Sequence, residues 1–360
     1  MKSTHTRIAL ISFLLVLLIP NVTYAEMKTI IKEYTYQASE DDSRNSSRTI
    51  ALREVKRLLL EELGTYLESV TEVKNFQLTK DQITVLTAGI VRTEIVDEKW
   101  DGHTYRLKSK ITADSGEVIK SIDTLRKDRA KTKELEELKR RSDELLRENE
   151  NLRKELAAKD GNRQKQESAY NRNIKELTAI EWFEKGYSSA ISGNYKDAID
   201  AFSKAIEMNK KHAAAYNNRG YAYNNLGKYD QAMQDYEKAI EINPEDDVAY
   251  YNRGVAYGKL GKDNKAVENY GMAIKINPKY ADAYSARGIT YGVLGNYQQA
   301  IRDLDRAIEL NPKNAPAYYV RAIACKILGN YKQALQDYKM AAKLGHKGAQ
   351  DYLTSKEIKW

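Results

Sequence analysis

The sequence predicts a mainly α fold: a solenoid of five helical hairpins with a capping helix, preceded by a small α/β domain and a long helical or coiled-coil stalk. Three observations predict it. One residue pattern recurs five times at a spacing of 34 between residues 179 and 348. A highly charged run upstream carries leucines at three-four spacing, and residues 26–122 interleave alternating runs with helical ones.

The repeats organise the chain. Each opens on an aromatic: Trp182, Tyr216, Tyr250, Tyr284 and Tyr318. Four residues on stand Gly186, Gly220, Gly254, Gly288 and Ala322. A second glycine, at 193, 227, 261, 295 and 329, splits each unit into two helical segments, since it supplies the left-handed backbone that ends a helix. Small residues follow at Ala198, Ala232, Ala266, Ala300 and Ala334, and Pro244, Pro278 and Pro312 close three units. This residue order at this period resembles the tetratricopeptide repeat. The resemblance implies a TPR α-solenoid with units at 179–212, 213–246, 247–280, 281–314 and 315–348. One hairpin cannot bury its apolar face alone, so neighbours stack and leave a concave surface suited to binding.

The start reads as a secretory signal over 1–25. Lys2 and Arg7 precede the apolar run Ile8–Ile19, and small residues at 23 and 25 place cleavage between Ala25 and Glu26. The run is short against the ~20 residues a membrane helix needs, so no stable span is expected after cleavage. The expected location is periplasmic or secreted, in a Gram-negative envelope; the cell type rests on resemblance. The formal charge of +8 is spread along the chain without a tight basic cluster, which argues against a nucleic-acid partner. One cysteine, Cys325, excludes an internal disulfide and reads as a small core residue. Four scattered histidines offer no metal site, and no cofactor is expected.

Residues 26–122 read as a small envelope module, β-α-β-α-β-β-α. Thr29–Tyr36 alternates, Ile50 to Leu67 has helical spacing, and Val70–Leu78 reads as a strand. Thr79 with Gln82 is a capping box, and Asp101-Gly102 marks a hairpin between two strands. Asp114 caps the next helix. The runs Ala51–Val55, Leu63–Ser69, Leu86–Val91 and Trp100–Tyr105 resemble the N-terminal domain of flagellar assembly protein T. His103, in the hairpin, reads as a surface residue.

The stalk is expected at 123–160. Leu138, Leu145 and Leu152 fall on heptad d, and Leu135, Ser142, Asn149 and Leu156 on a. An a-position Asn favours a parallel pair, so the run reads either as a homodimer seam through 135–156 or as a single solvated helix that spaces the two domains. A polar hinge at 161–178 leads into the repeats, and residues 349–360 form a capping helix.

In the family the first helix of each hairpin lines the groove. The resemblance places there Phe183 and Tyr187; Asn217, Asn218, Tyr221, Asn224 and Asn225; Tyr251, Asn252 and Val255; Ser285 and Ile289; and Tyr319. Asn side chains both donate and accept, so they suit an extended peptide backbone. The carboxylate-clamp places hold Phe183, Tyr187, Val248 and Asn252 instead of basic residues, so no clamp is expected. Arg219, Arg253, Arg287 and Arg321 each precede a polar residue by 16, at Asp235, Asn269, Asp303 and Asp337, and are expected to pair with it inside the hairpin.

The function these features favour is a non-enzymatic interaction scaffold of the cell envelope, binding another protein or extended peptide. An exported coiled coil followed by such repeats resembles the cell-division coordinator of the Tol system. The alternatives are an assembly component of a flagellar, pilus or secretion machine and, last, an envelope enzyme, for which no nucleophile, metal or phosphate motif is present.

Overall fold

The computed structural model describes residues 27–127, 129–158 and 162–360. The leader and its expected cleavage point at Ala25 and Glu26 lie outside them. The chain begins with β1 (Met27–Gln37) and the long helix α1 (Arg44–Ser69), capped by the Ser43 side chain. The short α2 (Thr71–Lys74) follows, then α3 (Lys80–Ala88), whose capping box between Thr79 and Gln82 is formed. β2 (Thr93–Trp100) and β3 (Thr104–Asp114) meet across Gly102, whose φ of 98° needs a residue without Cβ. The three strands form an antiparallel sheet in the order β1-β3-β2, with Ile30 opposite Ile111. α1 covers one face of this sheet, burying Val55, Leu59, Leu63 and Leu67.

The strand expected over Val70–Leu78 is absent. That stretch is α2 and a turn, in which Gln77 takes a φ of 55°. Its apolar residues Val73, Phe76 and Leu78 pack into the core rather than into a ladder.

α4 (Ser115–Lys127) starts on the Asp114 carboxylate, which accepts from the Gly116 and Glu117 amides. α5 (Arg129–Ala157) turns back on it. Thr132 Oγ1 donates to the Leu125 carbonyl at 2.9 Å, whereas in a straight helix seven residues rise about 10 Å. The expected stalk is therefore folded against its own chain. α6 (Arg163–Ile191) runs antiparallel to α5, with Gln166 bonded to Glu155 near one end and Arg141 to Glu176 near the other. Leu145 and Leu156 are buried on this surface, and Leu138 and Leu152 pack beside them against Tyr170, Ile174 and Leu177 of α6.

Two expectations are thereby corrected. The hinge over 161–178 is helix from Arg163 onward, because Tyr170, Ile174 and Leu177 form an apolar stripe inside polar sequence. The seam over 135–156, expected either to pair with a second copy or to stay solvated, is used within the chain; α6 and the α/β domain supply what a partner helix would have supplied.

The hairpins are α6/α7 (Tyr195–Met208), α8 (Ala213–Asn225)/α9 (Tyr229–Ile242), α10 (Asp247–Lys259)/α11 (Asp263–Ile276), α12 (Ala281–Val293)/α13 (Tyr297–Leu310) and α14 (Ala315–Ile327)/α15 (Tyr331–Lys343). Each first helix carries a glycine or alanine where the second helix lays an aromatic or leucine across it. A Cβ on Gly254 would stand 2.6 Å from the Tyr270 ring, so the close approach requires glycine there. α16 (Lys347–Ser355) closes the stack with Leu353 buried and Tyr352 against Tyr338 at 4.2 Å. First helices of successive hairpins pack more closely on one another than successive second helices do, so the first helices line the inner side.

Candidate binding groove

Within each of the last four hairpins a repeated polar tie joins the first helix to the second. Arg219 grips Asp235 with two hydrogen bonds of 2.8 and 2.7 Å, Arg287 grips Asp303 at 2.7 and 2.9 Å, and Arg321 grips Asp337 at 2.8 and 2.7 Å. Arg253 makes one such bond, to Asn269 at 2.8 Å. These are the pairs expected from the 16-residue spacing. Each guanidinium also lies 5.4–5.9 Å from the ring that opens its repeat, Tyr216, Tyr250, Tyr284 or Tyr318. Two reach the preceding hairpin as well: Arg219 bonds Ser203 and Arg321 bonds Asp305. At these two places the tie also links neighbouring repeats, and its arginines are spent on structure.

The first turn of the groove is filled by the chain's own N-terminal domain. Phe183 is 0% exposed and Tyr187 2%. Both belong to one apolar core that also holds Leu86, Val91 and Leu135. Leu135 and Tyr187 flank Gly89, where an added Cβ would meet them at 2.9 and 3.3 Å. From the second repeat, Asn218 donates to Glu134 of α5 and to the Ala214 carbonyl, each at 3.0 Å.

Charge secures this docking. Glu184 of α6 is bonded by Arg53 at 3.0 Å and by Lys56, both from α1. Burial alone would raise the Glu184 carboxyl, but the two cations outweigh it and hold the group below its ordinary value. Glu181, one turn away, is pushed up by burial, which its neighbours Arg53, Arg48 and Lys56 only partly offset. Arg92 adds a bond of 2.7 Å to Ser189.

The expected groove residues therefore separate. Phe183 packs against Phe202 and the His212 ring, Tyr187 lies beside Gly89 and Leu135, and neither lines a free surface. Asn217 and Ser285 are buried between neighbouring first helices. The asparagine row is consumed internally: Asn252 donates to Asn217 at 3.0 Å, and Asn218 is engaged as above, because inward-facing amides of adjacent helices reach one another before solvent. Tyr251 stacks on Tyr270 and Tyr280, and Tyr319 lies 4.1 Å from the ring of His346. Asn224, Val255 and Ile289 are half-buried, while Tyr221 and Asn225 are exposed.

Two residues outside the expected set are the most open apolar groups on the first helices. Val293 is 72% exposed and Ile327 53%. They occupy one repeat position, 34 residues apart, shared with Ile191, Asn225 and Lys259. Aligning the repeats at that position would have exposed the change from Asn225 and Lys259 to Val293 and Ile327. Val320 of the fifth repeat packs at Gly292 of the fourth, one residue from Val293.

Models of the tetratricopeptide repeat match residues 181–212, 201–234, 248–280, 281–314 and 304–336, and a further TPR repeat model matches 220–261. Nothing among curated proteins matches. Among solved structures, MamA aligns at 25% identity over 46% of this chain and 96% of its own, with a TM-score of 0.42. MamA from residue 41 onward of Desulfovibrio magneticus RS-1 aligns at 18% identity over 46% and 94%, with a TM-score of 0.43. YrrB, described as a TPR protein with an unusual peptide-binding site, aligns at 22% identity over 53% and 97%, with a TM-score of 0.43. Repeat period, hairpin stacking and family match agree: residues 181–336 of this chain are tetratricopeptide repeats.

Proposed function

We propose that the chain is an exported scaffold of the bacterial envelope that holds a segment of another protein against the inner face of repeats three to five. The observation that carries this reading is the exposure of the aliphatic side chains Val293 and Ile327 at one repeat position of the first helices. Exposed aliphatic groups in register along one face are the usual footprint of a protein contact. The bound segment enters from the C-terminal end, because the first repeat is closed by α3 and α5. The leader pattern supports export.

The test immobilises the full chain and compares partner recovery from an envelope extract with that of Val293→Asp/Ile327→Asp and of Asn218→Ala/Asn252→Ala. Loss with the first pair and retention with the second is expected. Equal recovery with all three chains would remove the groove. Fractionation should find the chain outside the cytoplasm beginning at Glu26; an intact leader on a cytoplasmic chain would remove the envelope part of the reading.

A further inference from the structure

We propose a second binding site, in the cleft between α1 and α5, that takes a short zwitterionic peptide. It lies in the N-terminal domain, apart from the inner face of repeats three to five. A cavity of about 440 Å³ opens there between β1, α1 and α5, within the ~300–1,000 Å³ typical of ligand sites. Tyr34 and Tyr36 of β1, Ile50 of α1 and Leu146 of α5 give it an apolar floor.

Asn149 forms part of its wall. That side chain is 1% exposed, and neither its amide nitrogen nor its amide oxygen has a hydrogen-bond partner. Buried amides in folded proteins are almost always paired, so this one marks where a group that both donates and accepts belongs. A peptide bond is such a group.

The charged residues around the cavity narrow the ligand further. Arg57 is committed to Glu54 and Glu61, at 3.0 and 2.7 Å. Arg153 is committed to Asp42 at 3.3 Å and lies over the Tyr36 ring, and Glu150 is committed to Lys154 at 2.7 Å. Asp143 and Arg147 remain. They stand one turn apart on α5 and make no ion pair among the described residues. One acid and one base flanking an unpaired amide match a free amino group, a free carboxylate and the peptide bond between them. The tyrosine floor takes the apolar side chain.

The probe is the dipeptide Gly-Phe, titrated calorimetrically into the full chain, with N-acetyl-Gly-Phe-amide as its uncharged counterpart. The expected result is saturable one-to-one binding of the free dipeptide and none of the blocked one. Asn149→Leu should abolish binding while raising the unfolding midpoint of the free chain, since it replaces an unpaired buried amide by an aliphatic group. Arg147→Ala, at an exposed position, should weaken binding about tenfold, the loss of one charge-assisted contact. No heat at millimolar dipeptide, equal binding of the blocked dipeptide, or binding unchanged by Arg147→Ala would each overturn the site. So would Asn149→Leu lowering the midpoint while binding persists.

Discussion

The two ends of the solenoid are made from the same repeat and meet different surroundings. At the first repeat, Phe183 and Tyr187 disappear into a core shared with α3 and α5. At the fourth and fifth, Ile289 matches Tyr187 three units on and Tyr319 matches Phe183 four units on; both stay half-buried, and Val293 and Ile327 on the same helices are open. A repeat position therefore fixes where a side chain points; whether it meets solvent depends on what lies upstream in the chain. The α/β domain and α5 act as the N-terminal cap that a solenoid needs, and α16 caps the other end with little more than Leu353 and Tyr352. The asymmetry directs binding to the later repeats.

The sharpest way to break this contrast is to undock the covered end. Glu184→Gln keeps the shape of the side chain and leaves Arg53 and Lys56 facing a neutral amide in a buried site. Removing one partner of a buried ion pair costs about 3–5 kcal/mol. Hydrogen exchange should show protection lost along α6 and the facing side of α1, with α14 and α15 unchanged. Equal protection in both chains would mean that the apolar core alone holds the domain in place.

Acid should also distinguish the ends. His212 caps α8 by accepting from the Ala215 amide and lies 4.9 Å from the Phe183 ring; burial lowers its pKa from 6.5 to about 4. The folded chain favours the neutral ring, and the unfolded chain binds the proton first. Stability from this group is thus complete above pH 6.5 and falls as pH drops toward 4, by up to about 1.4 kcal/mol per unit. The corresponding cap of the fifth repeat is Asn314, which does not titrate. His212→Asn keeps an acceptor at the cap and should flatten the difference in stability between pH 6.5 and 4. Glu181, raised by burial, works in the opposite direction. The comparison is therefore between the two chains at each pH. An unchanged slope would mean that the ring is already solvated.

How much of this was legible in sequence follows from the range of the interactions. The hairpins were, because a period of 34 fixes both helices of each unit, and so were the Arg–Asp ties, whose 16-residue spacing lies within one hairpin. Thr79, Asp101 and Asp114 announced their turns and caps through contacts no more than three residues away. The heptads of α5 revealed an apolar seam but not its owner. The stripe that covers it, Tyr170, Ile174 and Leu177, sits in sequence polar enough to resemble a hinge. Tyr187 could not be separated from its repeat mates for the same reason, since Leu135, which flanks Gly89 with it, lies far upstream.

A more modest loss is expected from Gly254→Ala, which tests the uncovered part of the stack alone. The new methyl would press on the Tyr270 ring at 2.6 Å, and overpacking of this kind costs about 1–3 kcal/mol. The third hairpin should lose protection while α6 keeps its own. Loss at both ends would show the solenoid melting as one unit and would weaken the contrast.

The smallest effect belongs to Asn218. Its amide bridges the second repeat to Glu134 of α5, but it also bonds the Ala214 carbonyl on its own helix. Asn218→Ala removes both bonds from a half-buried position, and the cost should stay near 1 kcal/mol. The consequence for binding is more informative than the cost. If the second repeat belongs to the covered end, partner affinity should not change, because that amide already has its acceptor on α5. If affinity falls severalfold while stability holds, the boundary between the closed and open parts of the groove lies one repeat nearer the N-terminus, and α5 shares the site with the bound segment.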